Sequence, residues 1–109
     1  MSSIAANRVV VTGMGVASSL GCEVETFWKN VIEGQCGIDR VTSFDISDYT
    51  CQIAAELKDF DPAPAFPNPK EVRRADRFTQ LGVFAGWKAL IDSAMNLDEL
   101  DRDQIGCYI

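Results

Sequence analysis

Apolar residues recur with a helical period in the segment from about residue 23 to residue 33. From Val24, the positions i, i+3, i+4, i+7 and i+8 are all apolar, which gives one continuous stripe along a helix. Glu23 and Glu25 lie where the positive end of the helix dipole favours them, and Gly34 follows where a helix commonly ends. The pattern therefore predicts an amphipathic helix over residues 23–33.

Three shorter segments have the pattern of β-strands. Residues 8–12 form a run rich in valine that Gly13 ends, which is typical of a strand buried on both faces. Residues 51–57 approximate an alternation of apolar and polar positions, and residues 104–109 form a second apolar run. Residues 35–50 show no clear period.

A second helical region starts with strong end signals. Asn68 is a preferred N-cap residue, Pro69 suits the first helical position, and Glu71 can reach back towards the cap as in a capping box. Residues 69–95 have a helical composition, and we expect a break near Ala75 or Asp76.

This second region contains a face of small residues and is otherwise apolar nearly all round over residues 81–91. Such a face permits a very close approach by the backbone of a neighbouring element. The small residues are Gly82, Ala85, Gly86 and Ala89.

The order of the predicted elements is β-α-β-α-β, which favours an α/β fold with helices layered on a sheet. Residues 1–7 are expected to form a mobile tail. Residues 8–109 are expected to be the front of a larger α/β domain, because the sequence stops inside a predicted core strand.

Composition and charge exclude several classes of protein. The 109 residues are 47% apolar and carry a net charge of −6, which argues against a disordered chain and against nucleic-acid binding. No apolar run is long enough to span a membrane, and the first residues do not resemble a secretory signal, so we expect a cytoplasmic protein. The sequence contains no histidine, so it cannot complete a Ser-His or Cys-His catalytic pair.

The four cysteines are predicted to be free thiols in the core or on the surface. They stand at positions 22, 36, 51 and 107, so that no two are closer than 14 positions. Zinc sites commonly contain closely spaced cysteine pairs, so this spacing argues against a metal site. A nucleophilic cysteine would need a base to remove its proton.

Two glycines after the first predicted strand allow two interpretations. Gly13 and Gly15 could let backbone N–H groups approach a pyrophosphate, as in dinucleotide-binding proteins. However, the third glycine of that motif is replaced by Ser18, and the predicted helix begins several residues too late. The favoured alternative is a loop that needs glycine for its backbone turns.

Basic side chains are concentrated at the start of the second helical region. Residues 68–78 hold four basic and two acidic side chains, a local charge of +2, so the rest of the chain sums to −8. Lys70, Arg73 and Arg74 have the spacing i, i+3, i+4 and can share one helix face. The cluster, which also includes Arg77, is either a solvated helix start or a docking site for an acidic protein or a phosphate group.

Several short segments along the chain carry a specific combination of residues. They are residues 8–15, Trp28, residues 34–38, Phe44-Asp45, residues 76–80 and Asp92-Ser93. Taken together, these segments resemble the amino-terminal portion of the β-ketoacyl-acyl-carrier-protein synthases, the elongating condensing enzymes of fatty-acid synthesis, and the resemblance covers nearly the whole chain from Arg8. Cys36, Ala75 and Ala94 depart from the family pattern, in which serine, methionine and glycine are usual.

The resemblance implies a thiolase-like layered fold, a homodimer and a decarboxylative Claisen condensation. The catalytic cysteine and two histidines of the family match no position here, so the 109-residue chain alone is expected to be inactive. Lys70, Arg73 and Arg74 match family positions that contact acyl carrier protein and the phosphate of its phosphopantetheine. The resemblance implies no metal or separate cofactor, because the substrates arrive on that phosphopantetheine.

Three alternatives remain open from the sequence. The complete protein could be a non-catalytic relative resembling a chain-length factor, or a polyketide ketosynthase. In a different class, the chain could be a small autonomous domain that binds a nucleotide or another protein.

Overall fold

The computed structural model of the chain describes residues 7–109, so the predicted mobile tail lies outside the described residues except for Asn7. Helices account for most of the regular structure. The elements are α1 (Val24–Ile32), β1 (Asp39–Arg40), β2 (Ile53–Ala54), α2 (Pro69–Arg74) and α3 (Arg77–Ser93), with 3₁₀ turns at Ala63–Ala65 and Arg102–Gln104.

Helix α1 confirms the first predicted helix to within one residue at each end. Gly34 has a φ of +70°, in the left-handed region that glycine adopts at low cost after a helix. The side-chain amide of Asn30 donates a hydrogen bond of 2.6 Å to the carbonyl of Leu20, which fixes α1 to the loop before it. Helix α1 is therefore set by local sequence signals, and the Asn30 hydrogen bond and the Lys88–Glu23 ion pair anchor it to neighbouring segments.

The predictions of buried strands at residues 8–12 and 104–109 are wrong for this structure. Neither segment belongs to a strand, and the side chains of Val9 and Tyr108 are 92% and 98% exposed. A strand of this kind needs hydrogen-bonded neighbours at its edges and helices on its faces. Within residues 7–109, no strand lies beside either segment, so the apolar pattern has nothing to pair with.

The sheet in the described residues is one short antiparallel pair rather than the expected series of strands. Residue Asp39 of β1 faces Ala54 of β2, which confirms strand structure within residues 51–57. Strand β1 was not predicted, because its two residues are polar and show no alternation.

Beyond the two strands, the Glu56 carboxylate joins the segment after β2 to the segment after β1. It accepts hydrogen bonds from the amide and hydroxyl of Thr42, both 2.9 Å long, and from the amide of Ser43 at 3.0 Å. The Ser43 side chain and the Thr42 amide lower the pKa of this carboxyl from 4.5 to about 2, because they stabilise its ionised form.

This low pKa predicts a pH-dependent stability. Because the pKa is lower in the folded chain, the ionised Glu56 carboxylate stabilises the fold above pH 4.5, and this contribution disappears as the pH falls towards about 2. In urea unfolding, the wild-type protein should lose stability more steeply over that interval than the Glu56→Gln variant. Asp48→Asn, which removes one exposed carboxylate of the same segment, is the matched control for the loss of a negative charge. Parallel curves for Glu56→Gln and wild type would contradict the prediction.

Helix α3 carries the described core. Phe84 is 94% buried, and its ring packs edge-on against Phe60 at a centroid separation of 5.0 Å. Among residues 7–109, Ile46 and Pro62 are the other buried apolar side chains, so this core is small. No helix in this part of the chain is long and apolar enough to cross a membrane.

The loop that contains Gly13 and Gly15, here called the glycine loop, covers part of the small-residue face of α3. It lies against Ala85 and Ala89. A Cβ atom at Gly13 would collide with the Ala89 carbonyl oxygen, and one at Gly15 would collide with that of Ala85. Neither loop glycine has a positive φ. The expectation that they serve backbone turns is therefore wrong: they let the loop lie directly on the helix backbone.

Helix α3 ends in a strained residue. Ala94 adopts the left-handed conformation with a φ of 53°, which an alanine Cβ disfavours. The Ala94→Gly substitution should raise the free energy of unfolding by about 0.5–1 kcal/mol, because glycine occupies this region without a steric penalty. Urea unfolding measures the change. A destabilised Ala94→Gly variant would show that the strain is absent.

Candidate functional site

Helix α2 presents three of the four cations of the basic cluster, and its first turn is fixed by Asn68. The Asn68 side-chain oxygen accepts hydrogen bonds from the amides of Lys70 and Glu71, at 3.0 and 3.1 Å. The Asn68 side-chain NH₂ in turn donates to the Glu71 carboxylate at 3.0 Å. The predicted cap is confirmed, with a reciprocal contact between two side chains.

The predicted break between the two helices is also confirmed. Ala75 is extended, with φ −82° and ψ 132°, and Asp76 is the N-cap residue of α3. The side-chain NH₂ of Gln80 reaches back across this break and donates to the carbonyls of Val72 at 3.0 Å and Ala75 at 3.1 Å. One side chain of α3 therefore satisfies carbonyl groups at the end of α2.

Three cations of the cluster stand free on the surface. Lys70, Arg73 and Arg74 all lie in α2 and are exposed. Within residues 7–109, none of their charged groups makes a hydrogen bond or an ion pair. The structure brings together on one short helix the three residues that the sequence singled out.

The acidic side chains of this segment do not neutralise the cations. The Glu71 carboxylate accepts its hydrogen bond from Asn68, and the Asp76 carboxylate accepts one from the Thr79 hydroxyl at 3.1 Å. Both carboxylates are thus engaged at helix starts. The positive charge of α2 faces solvent without an opposing partner among the described residues, as a docking site for an anion requires.

Arg77, the fourth basic residue of the cluster, has a structural role. Its guanidinium donates a hydrogen bond of 3.2 Å to the Leu57 carbonyl and lies 4.7 Å from the centre of the Phe60 ring. These contacts tie the start of α3 to the chain that follows β2. Of the four basic residues in the cluster, the three on α2 therefore have unpaired charged groups among residues 7–109, and Arg77 makes structural contacts.

The helix dipole distinguishes Lys70 from the two arginines. Arg73 and Arg74 lie in the last turn of α2, where the negative end of the dipole stabilises a cation by about 0.3–1 kcal/mol. Lys70 lies in the first turn, where the same dipole is unfavourable. Local helix stability therefore gives no reason for a cation at Lys70.

The cysteines form no metal site or disulfide in the described residues. All four are free thiols, and Cys22 is the one that is not fully exposed. Among residues 7–109, no three Cys, Asp or Glu side chains are placed to hold a metal ion. At Gly13 and Gly15, the backbone of α3 fills the space that a side chain would occupy.

Comparison with known protein families decides the classification. Residues 6–109 match the model of the N-terminal domain of β-ketoacyl synthases. The chain belongs to the β-ketoacyl synthase family. This match confirms the family resemblance and does not support an unrelated autonomous domain.

Individual members of this family are similar along nearly the whole chain. The chain is 39% identical over 109 residues to a 3-oxoacyl-[acyl-carrier-protein] synthase 2 of Synechocystis, covering 100% of this chain and 26% of that protein. It is 41% identical over 102 residues to the enzyme of the same name from Staphylococcus aureus strain COL, covering 94% of this chain and 24% of that protein. The chain therefore spans about a quarter of the length of these synthases.

A solved structure confirms the expected fold class. The ishigamide ketosynthase/chain length factor superimposes with a TM-score of 0.73 and 32% sequence identity. The match covers 84% of this chain and 22% of that one. The α/β, thiolase-like class of the β-ketoacyl synthases is thus borne out, although the chain forms only one short strand pair among its described residues.

Proposed function

We propose that the complete protein carrying this sequence is a 3-oxoacyl-[acyl-carrier-protein] synthase of fatty-acid elongation. The supporting observation is the identity of about 40% along 94–100% of the chain to synthases of that name. In this proposal, residues 8–109 form the first part of the N-terminal domain of a cytoplasmic homodimer. They contribute core packing and a docking surface, and the catalytic residues lie outside them.

The proposed reaction is a decarboxylative Claisen condensation. Malonyl-carrier protein loses carbon dioxide, and its α-carbon attacks the thioester carbonyl of an acyl group held on an enzyme cysteine. A carbon–carbon bond forms, the carbon–sulfur bond to the enzyme breaks, and 3-oxoacyl-carrier protein is released. This chemistry requires nucleophilic catalysis and stabilisation of negative charge, but no separate cofactor.

Within this reaction, α2 is proposed to bind the carrier. Lys70, Arg73 and Arg74 are exposed, close in sequence and free of internal partners among residues 7–109. An acidic carrier protein and its phosphopantetheine phosphate have the complementary charge. Arginine binds phosphate and carboxylate through two parallel hydrogen bonds, so Arg73 and Arg74 suit both groups.

A second candidate function is that of a chain-length-factor-like partner without a nucleophile. The similarity to the ishigamide ketosynthase/chain length factor supports this candidate, because the name of that structure includes a chain length factor. Both candidates retain a carrier-binding surface in this proposal, but only the synthase carries out condensation on its own.

A condensation assay on the purified complete protein tests the function. With an acyl-carrier and malonyl-carrier as substrates, mass spectrometry should detect 3-oxoacyl-carrier formed by this protein alone. Product that appears only when a catalytic ketosynthase subunit is added would favour the second candidate. No product in either mixture, from protein whose circular dichroism spectrum shows it to be folded, would contradict both.

A further inference from the structure

Helix α2 is too short and too exposed to hold its own orientation. It has six residues, and isolated helices of this length are unstable in water. Val72 is its one residue that is not fully exposed, so burial contributes little to its position. Its geometry must come from the groups that hold its two ends.

Two side-chain carboxamides hold those ends. Asn68 satisfies N–H groups of the first turn, and Gln80 satisfies the carbonyls of Val72 and Ala75 at and after the last turn. Gln80 differs from Asn68 because it belongs to α3, which carries the core residue Phe84. Its hydrogen bonds therefore couple the orientation of α2 to the helix that carries this core residue.

The carbonyls that Gln80 binds lie beside the two arginines. Val72 immediately precedes Arg73, and Ala75 immediately follows Arg74. A residue that fixes the backbone on both sides of Arg73 and Arg74 limits the directions in which their side chains leave the helix. Preorganising cations in this way reduces the ordering cost of binding a partner.

We propose that Gln80 is a positioning residue for carrier docking, which acts by holding Arg73 and Arg74 in the orientation that meets the carrier. The proposal rests on the function proposed above for α2. Gln80 itself is half-buried and makes no contact with the carrier in this proposal. Its two donated hydrogen bonds position the arginines. A side chain of similar length without N–H donors should therefore abolish this positioning.

The test compares Gln80→Met with wild type in the complete protein. Methionine keeps the length of the side chain and loses both donors. We expect the Michaelis constant for an acyl-carrier substrate to rise about fivefold, with an unchanged turnover number. Activity with a small thioester that has no carrier protein should also stay unchanged, whereas a general structural defect would lower it.

A double-mutant cycle separates positioning from other roles of Gln80. In an Arg73→Ala/Arg74→Ala background, Gln80→Met should have almost no further effect on carrier binding, because the side chains that it positions are gone. Equal losses in both backgrounds would overturn the proposal. If Gln80→Met proves unstable on heating, Gln80→Leu serves instead, because leucine also lacks N–H donors and adds no charge.

The outcomes also distinguish this proposal from the function on which it rests. If Arg73→Ala/Arg74→Ala weakens carrier binding and Gln80→Met does not, the positioning role is wrong and the docking surface stands. If the arginine substitutions have no effect on carrier binding, the docking surface itself is wrong, and the role of Gln80 is overturned with it.

Discussion

Replacement of Gly15 by alanine is expected to destabilise the fold strongly, although it adds only one methyl group. The new Cβ would collide with the carbonyl oxygen of Ala85 and would lie 2.7 Å from the amide nitrogen of Ala89. Both groups belong to the backbone of α3, which cannot rotate away as a side chain can. Overpacking of this kind costs about 1–3 kcal/mol and occasionally more, and we expect a value of about 3 kcal/mol.

Urea unfolding of the complete protein measures this loss of stability. A series of side chains of increasing size at position 15 tests its steric cause. Gly15→Val should be less stable than Gly15→Ala, because its side chain reaches further into α3. Gly86→Ala is the matched control, since a Cβ at Gly86 meets no atom within 4 Å among residues 7–109 and alanine is the better helix former. A Gly15→Ala variant as stable as wild type would show that the loop does not lie on the helix backbone.

The second large effect is expected from reversing the charge of the two arginines. Arg73→Glu/Arg74→Glu should weaken binding of the acyl carrier protein by more than about 100-fold, because two charge-assisted contacts of about 1.5–3 kcal/mol each are lost and repulsion takes their place. The loss should be larger at low salt than at high salt, since exposed charges are screened. Isothermal titration at two salt concentrations measures both quantities.

A control with the same change in net charge separates docking from general electrostatics. Arg40→Glu/Lys58→Glu also reverses two exposed cations, which have no ion pair within residues 7–109. We expect this control to lower the affinity by no more than a few-fold through the long-range field. Equal losses in the two variants would mean that the carrier senses only the total charge.

The sequence predicted best those elements whose causes are local. Helix α1 follows from its apolar stripe and Gly34, and α2 follows from Asn68 and Pro69. The break before Asp76 was likewise predicted from composition alone. In each case, the residues that determine the structure lie within a few positions of the structure itself.

The strands and the packing of the loop could not be predicted in the same way. An apolar run such as residues 8–12 becomes a strand only where other strands accept its hydrogen bonds, and the pattern does not contain those partners. Similarly, two glycines in a loop are compatible with turns and with close packing. The deciding contact, with Ala85 and Ala89 of α3, is about seventy residues away in the sequence.

For the candidate site, the sequence indicated the charged residues but not the tertiary contacts that hold them. Charge spacing indicated that Lys70, Arg73 and Arg74 can share one helix face, and the family resemblance matched them to positions that contact the carrier. The anchoring of Arg77 on Leu57 and the reach of Gln80 across the helix break are tertiary contacts, to which the sequence gives little guide. The available signal for Gln80 was an amide side chain shortly after a predicted helix break, where unsatisfied carbonyl groups are expected.

Zero-length cross-linking of the complete protein to its acyl carrier protein tests the docking surface most directly. A carbodiimide joins a lysine amine to a carboxylate only where the two are in contact, and Lys70 is the one lysine of α2. We expect mass spectrometry to find the carrier joined to Lys70, with Lys29 and Lys58 unmodified by it although both are exposed. Cross-links at Lys29 or Lys58 and none at Lys70 would contradict the assignment of α2 as the carrier-docking helix.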